Sequence, residues 1–213
     1  MILLDYSQIA LSNIIVQRLN DESMIRHMIL NSIRMYNKRY RDEYGQMVIC
    51  ADGMNTWRKQ YFPEYKAHRK KHRDNSEQDW TEIFRILHLV RDEIKENLPY
   101  KVLHMDGCEA DDIIGTLTMQ TQEFGMHEPV MIVSSDKDFI QLQKFNNVKQ
   151  FSPIQKKMVA NENPRTYLWN HILRGDSGDG VPNVLSNDDT FISESKQTPV
   201  SYTHLTLPTT PYV

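Results

Sequence analysis

Short apolar runs alternate with longer amphipathic stretches along the chain. Met1–Asp5, Met47–Ala51, Lys101–Met105 and Val130–Ser134 predict strands, and Val148–Phe151 predicts a shorter fifth. Between the first two, Asp21-Glu22-Ser23 caps a stretch in which Ile25, Met28, Ile29, Ile33 and Tyr36 recur at helical spacing. That spacing predicts a helix to about Tyr44, ended by Gly45. A second helix is expected from about Gln78 to Asn97, with Trp80, Ile83, Ile86, Leu87, Val90 and Ile94 on one face and Pro99 beyond its end. Further helices are expected from about Glu109 to Phe124, from Lys137 to Lys144 and from Pro164 to about Arg174. Strands alternating with helices and no internal repeat give an α/β fold, with a mainly parallel central sheet covered by helices on both faces.

Nine acidic residues sit at or just beyond the ends of these runs. Asp5 closes the first and Asp52 the second; Glu109, Asp111 and Asp112 open the helix after the third; Asp136 and Asp138 follow the fourth. Asp176 and Asp179 lie in a glycine-rich turn, Gly175-Asp176-Ser177-Gly178-Asp179-Gly180. Any one of these acids alone fits a capping role, because anions favour helix N-termini. Together they gather where open α/β sheets bind ligands, outside the carboxyl ends of the strands. Carboxylates so placed repel one another unless a cation sits among them. Hard oxygen donors suit Mg²⁺, with Mn²⁺ as substitute. Two such ions roughly 4 Å apart would serve phosphodiester hydrolysis. No Ser–His–Asp or Cys–His arrangement competes, and the chain has no Gly-x-x-x-x-Gly-Lys-Ser/Thr loop for ATP.

The charge distribution adds a substrate side. Of 213 residues, 25 are basic and 28 acidic, yet seven of the basic ones fall between Arg58 and Arg73 with a single acid, Glu64. The segment Trp57-Arg58-Lys59-Gln60-Tyr61-Phe62-Pro63-Glu64-Tyr65-Lys66-Ala67-His68-Arg69-Lys70-Lys71 interleaves cations with four aromatics, and Pro63 breaks any long helix there. Cations neutralise backbone phosphates and aromatic rings stack on unpaired bases. A solvated charged loop is the plain alternative; its place directly after the Asp52 strand favours nucleic-acid binding.

These motifs resemble the 5′-nuclease superfamily: flap endonucleases, the 5′-exonuclease domain of bacterial DNA polymerase I and phage 5′-exonucleases. Phe62-Pro63-Glu64-Tyr65-Lys66-Ala67-His68-Arg69, Glu109-Ala110-Asp111-Asp112, Ser134-Ser135-Asp136-Lys137-Asp138 and Gly175-Asp176-Ser177-Gly178-Asp179 carry the resemblance over roughly residues 1–185. Leu4-Asp5-Tyr6-Ser7-Gln8-Ile9-Ala10-Leu11-Ser12 and Val148-Lys149-Gln150-Phe151-Ser152-Pro153 place it nearest the ribonuclease H branch of T-even-type bacteriophages.

The resemblance implies a PIN-like N-terminal domain and two Mg²⁺ positions. Asp5, Asp52, Glu109 and Asp111, with help from Asp112, match the acids around the more tightly held ion. Asp136, Asp138, Asp176 and Asp179 match those around or between the ions. Arg58, Lys66 and Arg69 match cations of an arch that guides the scissile phosphate, Lys66 among the catalytic group, with Lys59, Lys70 and Lys71 alongside and Tyr65 beside the threaded strand. The implied activity is 5′→3′ hydrolysis of RNA in RNA–DNA hybrids and of DNA at 5′ ends and flaps, removing primers during phage replication. Implied partners are DNA, RNA–DNA hybrid, a single-strand-binding protein and a sliding clamp, and the protein is expected to be a monomer.

The resemblance divides the chain into an exonuclease domain at 1–160 with the arch at 57–75, the start of a truncated helix-hairpin-helix-type region at 161–196, and a tail at 197–213. Val181–Asp189 departs from the pattern in lacking the further hairpin glycines with which the cellular branches bind duplex phosphate and often K⁺, so the resemblance does not carry a K⁺ site over to this chain. The tail has no Asp, Glu, Lys or Arg, and its end from Ser201 reads as foreign sequence or a disordered tail. No apolar run approaches the roughly 18–20 residues that span a bilayer, and the start lacks a basic n-region and cleavage site. Cys50 and Cys108 read as buried free thiols, and the expected location is the cytoplasm of a phage-infected host. Two rivals stand: a PIN-type single-strand RNA endonuclease, which lacks the arch and the Gly-Asp-x-x-Asp turn, and a non-catalytic DNA-binding fragment.

Overall fold

A computed structural model describes residues 1–17, 21–123 and 127–200, with only the backbone of His72. The described residues form two compact units, one within Met1–Trp57 and Asp79–Pro164, the other of Arg58–Gln78 with the described residues from Arg165 to Val200.

The first unit is built on one six-stranded sheet. In chain order its strands are β1 (Ile2–Asp5), β2 (Met47–Ala51), β3 (Lys101–His104), β4 (Val130–Val133), β5 (Val148–Ser152) and β6 (Lys157–Val159). The spatial order is β3-β2-β1-β4-β5-β6; the first five are parallel, and β6 runs antiparallel at the edge. Side chains alternate between two faces, and each face has its own core. Ile2, Leu4, Ile49, Met131, Val133 and Phe151 pack under α2 (Glu22–Tyr44) and α5 (Trp80–Asn97). Leu3, Cys50, Val130, Ile132 and Val148 pack with α6 (Ala110–Glu123). Each fully buried aliphatic side chain contributes about 1.5–3 kcal/mol. Two covered faces explain why the strands are continuous apolar runs.

The expected caps form. Asp21 accepts from the Met24 N–H at 2.7 Å, and Gly45, at φ +78°, donates its N–H to Arg41 O at 2.8 Å. The structure adds a cap that was not expected: Asp79 caps α5 by accepting from the Glu82 N–H at 3.0 Å.

The structure adds three features to the sequence reading. Helix α1 (Tyr6–Gln17) follows β1 without a break, burying Ile9, Ala10 and Ile14. Ile9-Ala10-Leu11 and Ile14-Ile15-Val16 are apolar on most faces, so no single stripe marks the period. Strand β6 is short and starts with a lysine; only its pairing with β5 defines it. Lys137–Lys144 is a 3₁₀ helix. Cys108 is half-buried in the loop after β3, whereas Cys50 is fully buried; both thiols are free. The expected end of the third helix at Phe124, and residues 201–213, lie outside the described residues.

In the second unit the basic segment folds as two short helices, α3 (Arg58–Tyr61) and α4 (His68–Asp74), around Pro63. Helix α7 (Pro164–Arg174) leads into the glycine-rich turn, closed by paired bonds of 2.7 and 2.8 Å between the backbones of Asp176 and Val181. Among the described residues, no helix is long and apolar enough to cross a membrane.

Candidate active site

Strands β1 and β4 are neighbours, with β2 and β3 on one side and β5 and β6 on the other. The strand order reverses between them, which opens a crevice beyond their carboxyl ends. Asp5 ends β1, and Asp136 follows β4 by three residues.

Asp5 is only 7% exposed. Its Oδ1 accepts from the Gln8 N–H at 3.1 Å and its Oδ2 from the Ser134 hydroxyl at 3.0 Å. Burial above all, then the Asp52 carboxylate and, less strongly, that of Asp136, push its pKa up to about 7 against those two hydrogen bonds. The structure therefore brings Asp52 and Asp136 close enough to Asp5 for both to act on it. Among the described residues, no lysine or arginine pairs with any of the three.

Asp52 is exposed and also caps a helix, since its Oδ1 accepts from the Ala110 N–H at 2.8 Å. Two loops must touch for this to happen. Gly53 N–H donates to Cys108 O at 2.7 Å, Gly107 N–H to Met54 O at 2.7 Å and Trp57 N–H to Gly107 O at 2.9 Å. A Cβ on Gly53 would sit 1.8 Å from Met105 O, so only glycine allows the approach. Glu109 is 8% exposed at the mouth of α6. Asp112 Oδ2 accepts from the Glu109 N–H at 2.9 Å and from the Trp57 indole at 3.2 Å. Asp111 is half-buried in the first turn of α6. Asp136 caps the 3₁₀ helix, accepting from the N–H of half-buried Asp138 at 2.9 Å. Capping and ligand roles are thus compatible: one oxygen of Asp52 and of Asp136 holds backbone while the group's charge stays uncompensated.

A buried carboxylate crowded by two others and lacking a basic partner fits a bound cation, and an all-oxygen donor set fits a hard divalent one. Cys50 adds nothing to it, because burial and the nearby Asp5 push its thiol pKa up and keep it protonated.

Asp176 and Asp179 belong to the second unit. Asp176 Oδ1 accepts from the Gly178 N–H at 2.6 Å and the Asp179 N–H at 3.2 Å, and its Oδ2 lies 3.4 Å from His171 Nε2. Asp179 is the hub of the basic segment. Its carboxylate accepts from Tyr65 Oη at 2.9 Å and from Arg69 Nη2 at 2.6 Å, with Lys66 Nζ at 3.8 Å, and its carbonyl accepts from the Lys66 N–H at 2.8 Å. Gly180, at φ +74°, comes so close to His68 that a Cβ would meet Nδ1 at 2.7 Å.

Tyr65, expected beside a threaded strand, lies at the base of the basic segment. It is 5% exposed, with Lys66 Nζ 4.7 Å and Arg58 Cζ 5.8 Å from its ring centre, so its ring packs among the cations of the segment. Lys59, Lys70 and Lys71 are exposed, and Lys71 pairs with Glu194. Arg58, Lys66 and Arg69 are half-buried.

Sequence reasoning missed Gln8, Gly53, Trp57 and Ser134 as supports of the acids. The small polar pair Ser134-Ser135 between strand and acid was the available signal.

Comparison with known proteins agrees with the geometry. Residues 6–167 match the family described as 5′-3′ exonuclease, N-terminal resolvase-like domain. The ribonuclease H of Enterobacteria phage T4 is 38% identical over 208 residues, which is 92% of this chain and 68% of that protein. A 5′-3′ exonuclease of Buchnera aphidicola subsp. Schizaphis graminum is 30% identical over 172 residues, 78% of this chain and 56% of that protein. A structure of the bacteriophage T5 flap endonuclease, a pseudo-enzyme–product complex with DNA and metal ions, superposes with a TM-score of 0.73 over 96% of this chain and 81% of that one. At 16% identity that likeness speaks for the fold alone. With an acidic switch-point crevice and a family match across most of its length, the chain belongs to the 5′-3′ exonuclease family of nucleases.

Proposed function

We propose that this chain is a Mg²⁺-dependent 5′→3′ exonuclease and flap endonuclease with ribonuclease H activity. The observation that carries the reading is the uncompensated trio Asp5, Asp52 and Asp136 at the carboxyl ends of β1, β2 and β4, with Asp5 pushed up to about 7. Asp5, Asp52, Glu109 and Asp111, aided by Asp112, would hold one ion, and Asp136 and Asp138 would contribute to a second; Asp176 and Asp179 keep a ligand role by resemblance alone. Bound divalent cations supply Lewis acidity and a lowered water pKa at the scissile phosphodiester. The protein's own part is to hold the acids in fixed directions through Gln8, Ser134 and the α6 N-terminus. Arg58, Lys59, Lys66, Arg69, Lys70 and Lys71 offer the positive charge that a nucleic-acid backbone needs. The biological use would be removal of RNA primers and 5′ flaps in phage-type replication within the host cytoplasm, by a monomer working with a single-strand-binding protein and a sliding clamp.

The test is cleavage of a 5′-labelled RNA–DNA hybrid and of a 5′-flap DNA. Short 5′ products that form with Mg²⁺ and vanish with EDTA are expected. Equal cleavage in EDTA would overturn the metal reading; no cleavage at any Mg²⁺ or Mn²⁺ concentration would overturn the nuclease reading for this chain.

A further inference from the structure

A glutamine stands where the sheet calls for an apolar residue. On β5, Val148 and Gln150 share a face, and Gln150 pairs in register with Ile132 of β4, a member of the buried cluster under α6. Gln150 is fully buried. A buried carboxamide is costly unless its hydrogen bonds are made. Here they are: Nε2 donates to Ser134 O at 3.0 Å and to Asp136 O at 2.5 Å, and Oε1 accepts from Gln143 Nε2 at 3.2 Å.

Those two carbonyls belong to the turn that carries Asp136 out of the sheet. The β4–β5 ladder ends at the bond from Ser134 N–H to Phe151 O, 3.1 Å. Beyond it, side chains take over the pairing. Gln8 Oε1 accepts from the Ser135 N–H, Ser134 Oγ accepts from the Asp136 N–H at 3.1 Å, and Ser135 Oγ accepts from the Ile154 N–H at 3.1 Å and bonds Ser152 Oγ at 2.7 Å. Ser134 Oγ also donates to Asp5, so one network fixes the turn and reaches both carboxylates.

We infer that Gln150 is a positioning residue of the active site, which holds the Ser134–Asp136 turn from behind and so aims Asp136 for cation binding, with Gln8 holding the same turn from α1. The inference rests on the metal reading above. Partners of this kind behind ligating carboxylates set metal affinity.

The test is Mn²⁺ binding to the full chain, read as loss of the free-ion EPR signal, for wild type, Gln150→Met and Gln8→Leu. Met keeps the volume and removes both donors. Gln150→Met is expected to raise the Mn²⁺ half-saturation concentration by about 10- to 100-fold with an unchanged circular dichroism spectrum. In cleavage assays the half-saturating Mn²⁺ rises by the same factor, while the rate at saturating Mn²⁺ stays within about threefold of wild type. A merely structural role would lower the melting temperature and leave half-saturation unmoved, which overturns the inference. If Gln150→Met does not fold, half-buried Gln8→Leu carries the test, with an expected rise of at least about threefold; no rise overturns the inference. Wild type that binds no Mn²⁺ overturns the metal reading and this inference with it.

Discussion

Arg69 Nη2 lies 2.6 Å from Asp179 Oδ1, and Arg69 Nε donates to Gly178 O at 2.9 Å. The most basic segment of the chain is thus tied to the Gly-Asp-x-x-Asp turn, and the carboxylate that ties it also holds Tyr65 and neighbours Lys66. Removing that carboxylate releases cations toward phosphate. For Asp179→Asn in EDTA, fluorescence anisotropy with single-stranded DNA should show tighter binding and a log Kd against log salt slope steeper by about 0.7 per phosphate gained. An unchanged slope would mean that Arg69 and Lys66 stay committed within the unit.

Lys66 adopts φ +56°, a left-handed conformation uncommon for a residue with a side chain. Its N–H bond to Asp179 O holds it there. Strain kept at a cation points to use of the cation. Lys66→Ala should cut turnover and make the salt slope of DNA binding shallower by about one. Lys66→Gly, free of the strain, should keep the melting temperature while showing the same loss of binding. Undiminished binding in both variants would remove Lys66 from the nucleic-acid surface.

Asp5→Asn should separate stability from activity. A pKa raised from 3.8 to about 7 means that ionised Asp5 opposes folding when no cation is bound. Its protonated form favours the fold at low pH, and that advantage fades as pH rises through about 7. At pH 8 in EDTA, Asp5→Asn should therefore melt several degrees above wild type while losing cleavage. A lower melting temperature would show that the Gln8 and Ser134 bonds outweigh the charge.

Asp136→Asn tests cap against charge at a single residue. Asparagine caps helices about as well as aspartate, so the 3₁₀ helix should keep its start and the melting temperature should hardly move. Cleavage should be lost, as in Asp111→Asn. Asp136→Ala should lose cleavage and also about 1 kcal/mol of stability, measured by urea unfolding. Full activity in the asparagine variant would withdraw Asp136 from the metal set.

Gly53→Ala should damage the site from a distance. The new methyl meets Met105 O at 1.8 Å, so the loops after β2 and β3 must part and the Asp52–Ala110 bond must stretch. A drop in melting temperature together with weaker Mn²⁺ binding is expected; wild-type values for both would show that the loops can separate without consequence.

Much of this protein was written locally in its chain. Continuous apolar strands, the caps Asp21 and Gly45 and the stripe Ile83, Ile86, Leu87, Val90 and Ile94 follow from neighbours a few residues apart, so periodicity reveals them. The acids at the strand ends and the basic segment were legible for the same reason, and their order along the chain carried the family resemblance. Helix α1 was not legible, because a helix apolar on most faces has no stripe, and β6 was not, because only its partner makes it a strand. The tertiary structure alone decided which groups meet. Asp5 and Ser134 are 129 residues apart and bond because β1 and β4 are neighbours; Tyr65 turns inward because Asp179, 114 residues on, accepts a hydrogen bond from its hydroxyl. Gln150 looks like a flaw in a strand until the two carbonyls it holds are seen. Such contacts depend on how the strands are ordered and how the loops close, and that is settled by the folding of the whole chain.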